Sequence, residues 1–308
     1  MKKDFLTFDD IKRTEIFKIL NLAEELKKKP VGRQLQGKVF CLFFEKPSTR
    51  TRVSFESGIG QSGGTSIYFD ITTSQISRGE SLEDTARTLN RYVDAIIARV
   101  YSHETLEIMA KHSDTHVINA LSDLTHPCQI LSDLLTIREK FGSFEDLKLA
   151  YVGDGDSVCN SLLLGCSKVG ININIACPKE YQPNTEIIHR AIDFTKITKS
   201  DVNIMEDPKE AVKDANIVYN DTFVSMGDEK EKEKRLSVFL PKYQVNKKLL
   251  NYAASNVLYM HCLPAHRDEE VTYDVIDGHR SIVWDQAENR LHAQKALLVK
   301  MIGKKIFR

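Results

Sequence analysis

The sequence predicts an α/β protein of two domains, each a parallel β-sheet flanked by helices. Short apolar runs rich in β-branched and aromatic residues alternate with helical patterns along most of the 308 residues. The alternation breaks near Phe141–Leu147 and begins again with LKLAYVGD, residues 147–154. A broad apolar stripe in the last segment, residues 288–307, predicts a C-terminal helix.

The first half of the chain alternates regularly between the two patterns. The predicted strands are 38–44, 65–70, 94–100 and 115–120. Helical patterns separate or follow them, at 52–63, 81–92, 104–113 and 126–142. In the last of these helices Pro127 suits the first turn and Gly142 suits the end.

The second half repeats the arrangement. Its predicted strands are 147–154, 171–177, 201–205, 215–220 and 256–262. A charge run, GDEKEKEKRL, follows Met226, and its simplest interpretation is a solvated helix face. In open α/β sheets ligands bind beyond the carboxyl ends of the strands, so the residues that follow each strand are the candidates for function.

Composition excludes several classes of protein. The 43 basic residues balance 43 acidic ones, so the chain lacks the basic character of a nucleic-acid-binding protein. The six cysteines include no C-x-x-C pair, which favours reduced, buried thiols in a cytoplasmic protein. The N-terminal residues lack the apolar stretch of a signal peptide, and no apolar run approaches the roughly 18 residues that cross a membrane.

The motif PSTRT follows the first predicted strand, where a helix is expected to begin. A helix N-terminus offers free N–H groups and a positive dipole end, to which Ser48, Thr49 and Thr51 add hydroxyl donors. Arg50 adds a guanidinium that can bind two oxygens of one phosphate. An N-cap serine followed by surface arginines explains the same letters equally well. The glycines of a Walker loop are absent, so a nucleoside triphosphate is not implied.

The motif HPCQ places His126 and Gln129 three residues apart, on one face of a helical first turn. A neutral imidazole and a carboxamide can both donate to a carbonyl oxygen, as in an oxyanion hole. A capping or packing role for His126, and a structural ion pair for Arg99 at the end of its strand, are the commoner explanations.

Two glycines in GDGDSVCNS, Gly153 and Gly155, suggest a dinucleotide-binding turn. The third glycine of that pattern is absent because Val158 stands there, so a tight strand-to-helix turn is the favoured interpretation. Asn160 lies in the first turn of the following helix, where it could contact a ligand.

Two later motifs carry groups suited to an amino acid. In DTFVSMG, Asp221 is an anion for an ammonium group and Ser225 is a donor for a carboxylate. Cys262 in HCLPAHR follows another strand, and an inert buried thiol is its default interpretation. No catalytic metal or other cofactor is expected, because no zinc-binding spacing occurs and His261 and Cys262 should point to opposite faces of a strand.

Together the motifs FEKPSTRTRVSFE, HPCQILSDLLT, VCNSLL, DTFVSMG and MHCLPAHR closely resemble the ornithine carbamoyltransferase family. They occur in the family's order, and the resemblance covers essentially the whole chain. It implies a carbamoyl-phosphate-binding domain, 1–141 plus 288–308, and an ornithine-binding domain, 142–287. Interdomain helices would join the two domains, and the C-terminal helix would return to the first.

The resemblance also implies a role for each matching residue. The carbamoyl-phosphate site would contain Ser48, Thr49, Arg50, Thr51, Gln75 of a neighbouring subunit, Arg99, His126, Pro127, Cys128, Gln129, Cys262, Leu263 and Arg290. The groups that bind ornithine would be Asn160, Asp221, Ser225 and Met226. The residues expected to act in catalysis are Arg50, Arg99, His126, Gln129, Cys262 and Arg290.

The implied activity is carbamoyl transfer to the δ-amine of L-ornithine, giving citrulline for arginine biosynthesis in the cytoplasm. The family implies a homotrimer or an assembly of trimers, and a loop after SMG that closes on ornithine. Two positions depart from the family's usual form, because Asp268 replaces a glycine and Asp156 an asparagine. The alternatives are a carbamoyltransferase for another amine, such as putrescine, and a non-catalytic phosphate- or dinucleotide-binding module.

Overall fold

The computed structural model describes residues 4–225, 227 and 229–303. The chain divides into two compact units. Unit 1 comprises Met1–Leu135 with Glu288–Arg308, and unit 2 comprises Thr136–Ala287. The first boundary lies inside a helix, whereas the sequence suggested a boundary at the end of that helix, after Phe141.

Unit 1 contains a four-stranded parallel sheet in the order β2-β1-β3-β4. Its strands are β1 (Val39–Phe44), β2 (Thr65–Asp70), β3 (Ala95–Arg99) and β4 (His116–Leu121). Its helices are α1 (Arg13–Lys28), α2 (Thr49–Gln61), α3 (Leu82–Leu89), α4 (His103–Lys111) and most of α5 (Pro127–Phe141). All five residues of β3 are buried, as expected for a central strand covered on both faces.

Side-chain caps explain where several helices of unit 1 begin. Ser48, Ser81 and Ser102 precede α2, α3 and α4, and each hydroxyl accepts a hydrogen bond from a first-turn N–H group. Such a cap satisfies one of the N–H groups that an α-helix leaves without an internal acceptor. Each cap also follows a strand or its connecting loop, so the polar serines mark the edge of the sheet where strand becomes helix.

Unit 2 contains a five-stranded parallel sheet in the order β7-β6-β5-β8-β9. Its strands are β5 (Lys148–Val152), β6 (Asn172–Ala176), β7 (Val202–Met205), β8 (Ile217–Asn220) and β9 (Leu258–His261). Its helices are α6 (Ser157–Val169), α7 (Thr185–Thr198), α8 (Pro208–Val212), α9 (Lys232–Phe239), α10 (Lys247–Leu250) and α11 (Tyr273–Ile276). The predicted architecture of two parallel sheets flanked by helices is therefore confirmed.

Helix α12 (Val283–Ile302) begins in unit 2 and continues in unit 1 from Glu288. The chain thus returns to its first unit through the C-terminal helix, as predicted. Within the described ranges, every helix is too short or too polar to cross a membrane.

The charge run after Met226 is only partly a solvated face. It forms a 3-10 turn (Glu229–Glu231) and the first half of α9, in which Arg235 is buried. The interpretation of the whole run as solvated is wrong at Arg235, because its guanidinium pairs with Asp154 and donates to the carbonyl oxygen of Phe223.

Candidate active site

The predicted site residues of unit 1 follow three strands of one parallel sheet. Ser48–Thr51 come after β1, Arg99 ends β3, and His126 lies after β4, immediately before α5. Because β3 pairs with both β1 and β4, the carboxyl ends of these strands lie side by side. The strand order therefore brings together motifs that are far apart in the sequence.

The PSTRT motif forms the first turn of α2. Ser48 is the N-cap, and its Oγ accepts the N–H of Thr51 at 3.2 Å. Thr49 is exposed, Arg50 is partly buried and Thr51 is buried. The capping interpretation of Ser48 is correct, and it is compatible with anion binding because the dipole of α2 favours negative charge at this end.

Arg52 points away from this group. Its Nε donates to Glu56 at 3.0 Å, and its guanidinium lies 3.7 Å from the centroid of the Tyr68 ring. These contacts lie on the exposed face of α2, so Arg52 braces the helix and Arg50 is the better candidate for anion binding.

His126 is buried in a strongly positive environment. Burial, and then the charges of Arg290, Arg99 and Arg50, hold its pKa well below its ordinary value of 6.5. The ring is therefore neutral near pH 7 and can donate one N–H without bringing a further charge. Neighbouring Cys128 is fully buried, and burial raises the pKa of its thiol to about 12, so it is an inert thiol.

Arg290 of α12 connects two of the motifs. Its Nη2 donates to Thr51 Oγ1 at 3.2 Å, and its Nη1 donates to Gln129 Oε1. The Nε2 of Gln129 donates in turn to Asp133 Oδ1 at 2.8 Å, one helical turn further along α5. The predicted grouping of Thr51, Gln129 and Arg290 is therefore present within unit 1, while Asp133 was missed by the sequence analysis.

The remaining predicted residues of unit 1 differ in exposure. Arg99 and Pro127 are buried, as is His126 between the strand end and α5. Gln75 begins a short 3-10 helix, Gln75–Arg78, and its side chain is exposed. No contact within the described part of unit 1 ties Gln75 to the arginine cluster.

In unit 2 the candidate residues again follow adjacent strands. β8 lies between β5 and β9, so the segments after these three strands meet at one edge of the sheet. Asp156 follows β5, Asp221 follows β8 and Cys262 follows β9.

Asp156 and Asp221 form a pair of carboxyl groups in hydrogen-bond contact, which requires one shared proton. Burial, and then the charge of Asp221, raise the pKa of Asp156 well above its ordinary value. Burial raises the pKa of Asp221 as well, against the opposing effect of hydrogen bonds from Cys262, Thr222 and Asp156. Both effects favour a proton on the pair, most strongly on Asp156, and leave Asp221 as the carboxylate that suits an ammonium ligand. The Cys262 thiol donates a hydrogen bond to Asp221.

The expectation that His261 and Cys262 point to opposite faces is wrong. β9 ends at His261, so strand alternation does not extend to Cys262, and ligand-type atoms of Asp221, His261 and Cys262 lie within 4.8 Å of one another. His261 Nδ1 accepts the N–H of Leu263 at 2.9 Å, and its Nε2 faces Glu270 Oε1 at 3.3 Å. Both ring nitrogens thus face protein groups, which disfavours metal binding at this cluster, and the absence of a catalytic metal stays a prediction.

The other candidate residues of unit 2 differ in burial and in their contacts. Asn160 is buried, and its Oδ1 accepts the N–H of Asn184 at 3.1 Å, a contact that anchors the start of α7. Ser225 and Leu263 are partly buried, and Leu263 has a positive φ of 60°. Met226 lies outside the described residues.

The glycines of GDGDSVCNS serve backbone packing. A Cβ on Gly155 would lie 2.3 Å from the backbone nitrogen of Pro183, and Gly155 N–H donates to Tyr181 at 2.8 Å. Asp156 caps α6, accepting the N–H groups of its second and third residues at 2.9 and 3.0 Å. The turn is therefore filled by protein and carries a carboxylate where a pyrophosphate would sit, as the interpretation of a tight turn predicts.

Comparison with known proteins identifies the family. Residues 3–139 match the family model described as aspartate/ornithine carbamoyltransferase, carbamoyl-P binding domain, and residues 145–301 match its Asp/Orn binding domain. This chain belongs to the aspartate/ornithine carbamoyltransferase family. The resemblance inferred from the motifs is confirmed.

Individual carbamoyltransferases of this family are similar over nearly their whole length. Ornithine carbamoyltransferase of Archaeoglobus fulgidus is 49% identical over 306 residues, 98% of each chain. That of Bacillus subtilis is 48% identical over 302 residues, 98% of this chain and 94% of the relative. The solved ornithine carbamoyltransferase from Pyrococcus furiosus is 46% identical with a TM-score of 0.93, covering 97% of this chain and 96% of that one.

Several polar residues around the candidate sites of the two units were not predicted from the sequence. They are Ser54, Asp133, Asp154, Arg235, Glu270 and Gln294. Arg235 lies in the charge run that the sequence predicted to be a solvated face. The others are polar residues in ordinary helix or loop contexts, and their partners lie far away along the chain.

Proposed function

We propose that this chain transfers the carbamoyl group of carbamoyl phosphate to the δ-amino group of L-ornithine, giving L-citrulline and phosphate in arginine biosynthesis. The observation that carries the proposal is the division of charge between the units. Unit 1 concentrates three arginine charges on His126, whereas unit 2 holds the buried carboxyl pair of Asp156 and Asp221. The match to the carbamoyl-P binding domain contains Arg50, Arg99 and His126, and the match to the Asp/Orn binding domain contains Asp156 and Asp221.

In unit 1 the phosphate of carbamoyl phosphate binds at the start of α2, to Ser48, Thr49, Arg50 and Thr51. The dipole of α2 and the Arg50 charge favour a dianion at this position. The carbamoyl end is assigned to Arg99, His126, Pro127, Cys128, Gln129 and Arg290, with Gln75 contributed by a neighbouring subunit.

In unit 2 the α-ammonium of ornithine binds to the carboxyl pair through Asp221. Ser225 and Met226 bind the carboxylate, Asn160 supports the site, and Cys262 and Leu263 are assigned to both substrates. Aspartate as acceptor is disfavoured, because a second carboxylate would meet the negative charge of Asp221. Putrescine lacks the carboxylate that Ser225 is expected to bind.

The reaction is an acyl transfer without a covalent enzyme intermediate. The neutral δ-amine attacks the carbamoyl carbon, a tetrahedral oxyanion forms, and phosphate leaves with the amine proton. Arg99, neutral His126 and Thr51 donate to the oxygen on which charge develops. Loss of one such donor typically costs about 3 kcal/mol in the transition state, roughly a hundredfold in rate.

One assay tests the proposal against its alternatives. The purified chain is incubated with carbamoyl phosphate and, separately, ornithine, putrescine, N-acetylornithine or aspartate, and carbamoylated product is quantified. We expect citrulline from ornithine and at least a hundredfold lower kcat/KM with the other amines. A preference for another acceptor would replace ornithine in the proposal. No product from any acceptor would favour a non-catalytic phosphate-binding module.

A homotrimer, or an assembly of trimers, is part of the proposal. β2 is an edge strand of unit 1, and large apolar side chains are exposed on it and on α2, with Ile67 of β2 at 49% and Val53 of α2 at 53%. Exposed apolar side chains on a sheet edge and its covering helix favour self-association. Light scattering should give the mass of three chains or of a multiple of three chains. The proposed place of action is the cytoplasm.

A further inference from the structure

Arg290 is held by a closed ring of hydrogen bonds in unit 1. Its Nη2 donates to Thr51 Oγ1 at 3.2 Å. Gln294 lies one turn later in α12, and with its amide oriented to satisfy both ends its Oε1 accepts Arg290 Nε at 3.0 Å and Nη2 at 2.9 Å. Gln294 Nε2 donates to Ser54 Oγ at 2.6 Å, and Ser54 donates to the carbonyl oxygen of Thr51 at 3.2 Å.

Donors and acceptors alternate consistently around this ring. A guanidinium can only donate, so Gln294 must present its oxygen to Arg290 and its NH2 to Ser54. The Ser54 hydroxyl then accepts a hydrogen bond from Gln294 and donates one to the carbonyl oxygen of Thr51. Gln294, Arg290 and Thr51 are all nearly inaccessible to solvent, at 1%, 3% and 1% exposed, so water cannot replace a lost partner at low cost.

A branch fixes the other arm of the guanidinium. Arg290 Nη1 donates to Gln129 Oε1, and Gln129 is turned that way because its NH2 donates to the carboxylate of Asp133. All three guanidinium nitrogens of Arg290 are therefore engaged by groups whose own orientation is set by a further partner. Such support restricts the arginine to one rotamer.

The ring also decides which way the Thr51 hydroxyl points. Because Thr51 Oγ1 accepts from Arg290, the hydroxyl proton has to be donated to something other than Arg290. In the proposed function that acceptor is the carbamoyl oxygen of the substrate.

We propose that Gln294 is a positioning residue for the carbamoyl-transfer step: it fixes Arg290 and thereby keeps Thr51 as a hydroxyl donor to the reacting oxygen. The inference rests on the proposed function and assigns Gln294 no contact with substrate. Its competitor is a purely structural role, in which Gln294 fills space between α12 and α2.

Two substitutions at Gln294 separate these roles. Gln294→Glu keeps an oxygen for Arg290 but buries a carboxylate, whereas Gln294→Met keeps the volume and removes the oxygen. If the residue acts on Arg290, kcat/KM for carbamoyl phosphate falls roughly 10- to 100-fold in Gln294→Met and less than about threefold in Gln294→Glu, since hydrogen bonds to charged groups are the stronger class. A structural role predicts the reverse order, because methionine packs without burying a charge.

The matched control is Gln61→Met. Gln61 accepts from Lys295 of α12 at 2.9 Å, so this variant also loses an amide contact between α2 and α12 but leaves the ring intact. We expect its kcat and KM to stay within about twofold of the wild type. Melting temperatures of all three variants show whether each is folded.

A double-mutant cycle keeps the inference testable even where Gln294→Glu does not fold. Gln294→Met should add no further loss of kcat/KM to Arg290→Ala, because a residue that acts only through Arg290 has nothing left to position. Additive losses, wild-type kinetics in Gln294→Met, or equal impairment in folded Gln294→Met and Gln294→Glu would each overturn the inference. A wild-type chain that forms no citrulline would instead overturn the proposed function.

Discussion

Arg235 and Asp154 form an ion pair within unit 2, with side chains only 8% and 13% exposed. The same guanidinium donates through Nε to the carbonyl oxygen of Phe223 at 2.6 Å. Asp154 follows β5 and Phe223 follows β8, so one arginine of the charge run ties α9 to both segments that flank the carboxyl pair. This contact holds the edge of the sheet on which the proposed acceptor site is built.

Replacement of Arg235 by methionine should destabilise the protein strongly. It leaves the Asp154 carboxylate buried without its cation, which typically costs about 3–5 kcal/mol. Urea unfolding measures the change, and Lys232→Met is the control, since its partner Glu269 forms a pair that is half exposed. The control should change stability by less than about 1 kcal/mol. Equal effects of the two substitutions would show that Arg235 is not a structural anchor.

Replacement of Arg50 by alanine should damage the use of carbamoyl phosphate. We expect kcat/KM for carbamoyl phosphate to fall roughly 10- to 150-fold, because a hydrogen bond to a charged group contributes about 1.5–3 kcal/mol. Steady-state kinetics with each substrate varied in turn measure the effect. The KM for ornithine should change far less, since Asp221 and its neighbours belong to unit 2.

Arg52→Ala is the matched control for that variant. Arg52 lies two residues further along α2 and is engaged by Glu56 and Tyr68 on the exposed face. It should keep both kinetic constants within about twofold and lose at most about 1 kcal/mol of stability. If Arg52→Ala were the impaired variant and Arg50→Ala the normal one, the assignment of the phosphate site would be wrong.

Replacement of Asp156 by asparagine should change how stability depends on pH. The pKa of Asp156 is held well above its ordinary 3.8 by burial and the Asp221 charge, so between these values the folded state binds a proton that the unfolded state has released. Stability therefore falls as pH rises from about 4 towards the raised pKa. Asparagine keeps an oxygen for the N–H groups of Val158 and Cys159 and removes the titrating group.

We thus expect Asp156→Asn to melt at a higher temperature than the wild type at pH 8, with the difference shrinking towards pH 5. Scanning calorimetry across that range tests the expectation. Asp207→Asn is the control, because Asp207 caps α8 in the same manner on an exposed surface. Parallel pH profiles for wild type and Asp156→Asn would contradict the shared-proton pair.

Replacement of Asp268 by glycine should stabilise the chain slightly. Asp268 has a φ of +68°, in the left-handed region where a non-glycine residue costs about 1–2 kcal/mol. Glycine removes that strain and loses roughly 0.5–1 kcal/mol through its greater freedom in the unfolded chain. The expected gain is up to about 1 kcal/mol in urea unfolding with unchanged kinetics. Asp193→Gly inside α7 should instead lose about 0.5 kcal/mol, through lower helix propensity and loss of the exposed pair with Lys196.

Asp268 and Asp156 both replace the family's usual residue, but with different consequences. A glycine is expected there because the backbone is left-handed, and aspartate is among the few other residues that tolerate such a conformation. The departure therefore concerns loop shape, as the sequence suggested. At Asp156 the departure has a chemical consequence, since it adds a second carboxyl group beside Asp221.

The sheets were predictable because buried parallel strands are continuous apolar runs. β1 and β3 are apolar almost throughout, so their positions were predicted to within one residue at each end. The strand-end rule then located the candidate residues. The alternation of side chains between strand faces did not apply at Cys262, because β9 ends at His261, one residue earlier.

Pairings across long chain separations were not predictable. Arg290 meets partners that are 161 and 239 positions away, and Ser54 meets Gln294 across 240 positions. Local sequence patterns indicate whether one face of a helix or strand is apolar. They do not indicate which distant polar group a side chain on that face will contact. Arg235 was misjudged for the same reason, because its burial depends on Asp154, which lies 81 positions earlier.

Unit 1 consists of two stretches that are separated along the chain by the whole of unit 2. During synthesis on the ribosome, the strands and the α2 N-terminus of unit 1 are made first, but Arg290 emerges only after unit 2 is complete. Domains generally fold as units in the order in which they emerge. Here unit 2 can fold before unit 1 is complete, because unit 1 lacks Arg290 until α12 has been made. A complete site for carbamoyl phosphate would therefore form only on a finished chain.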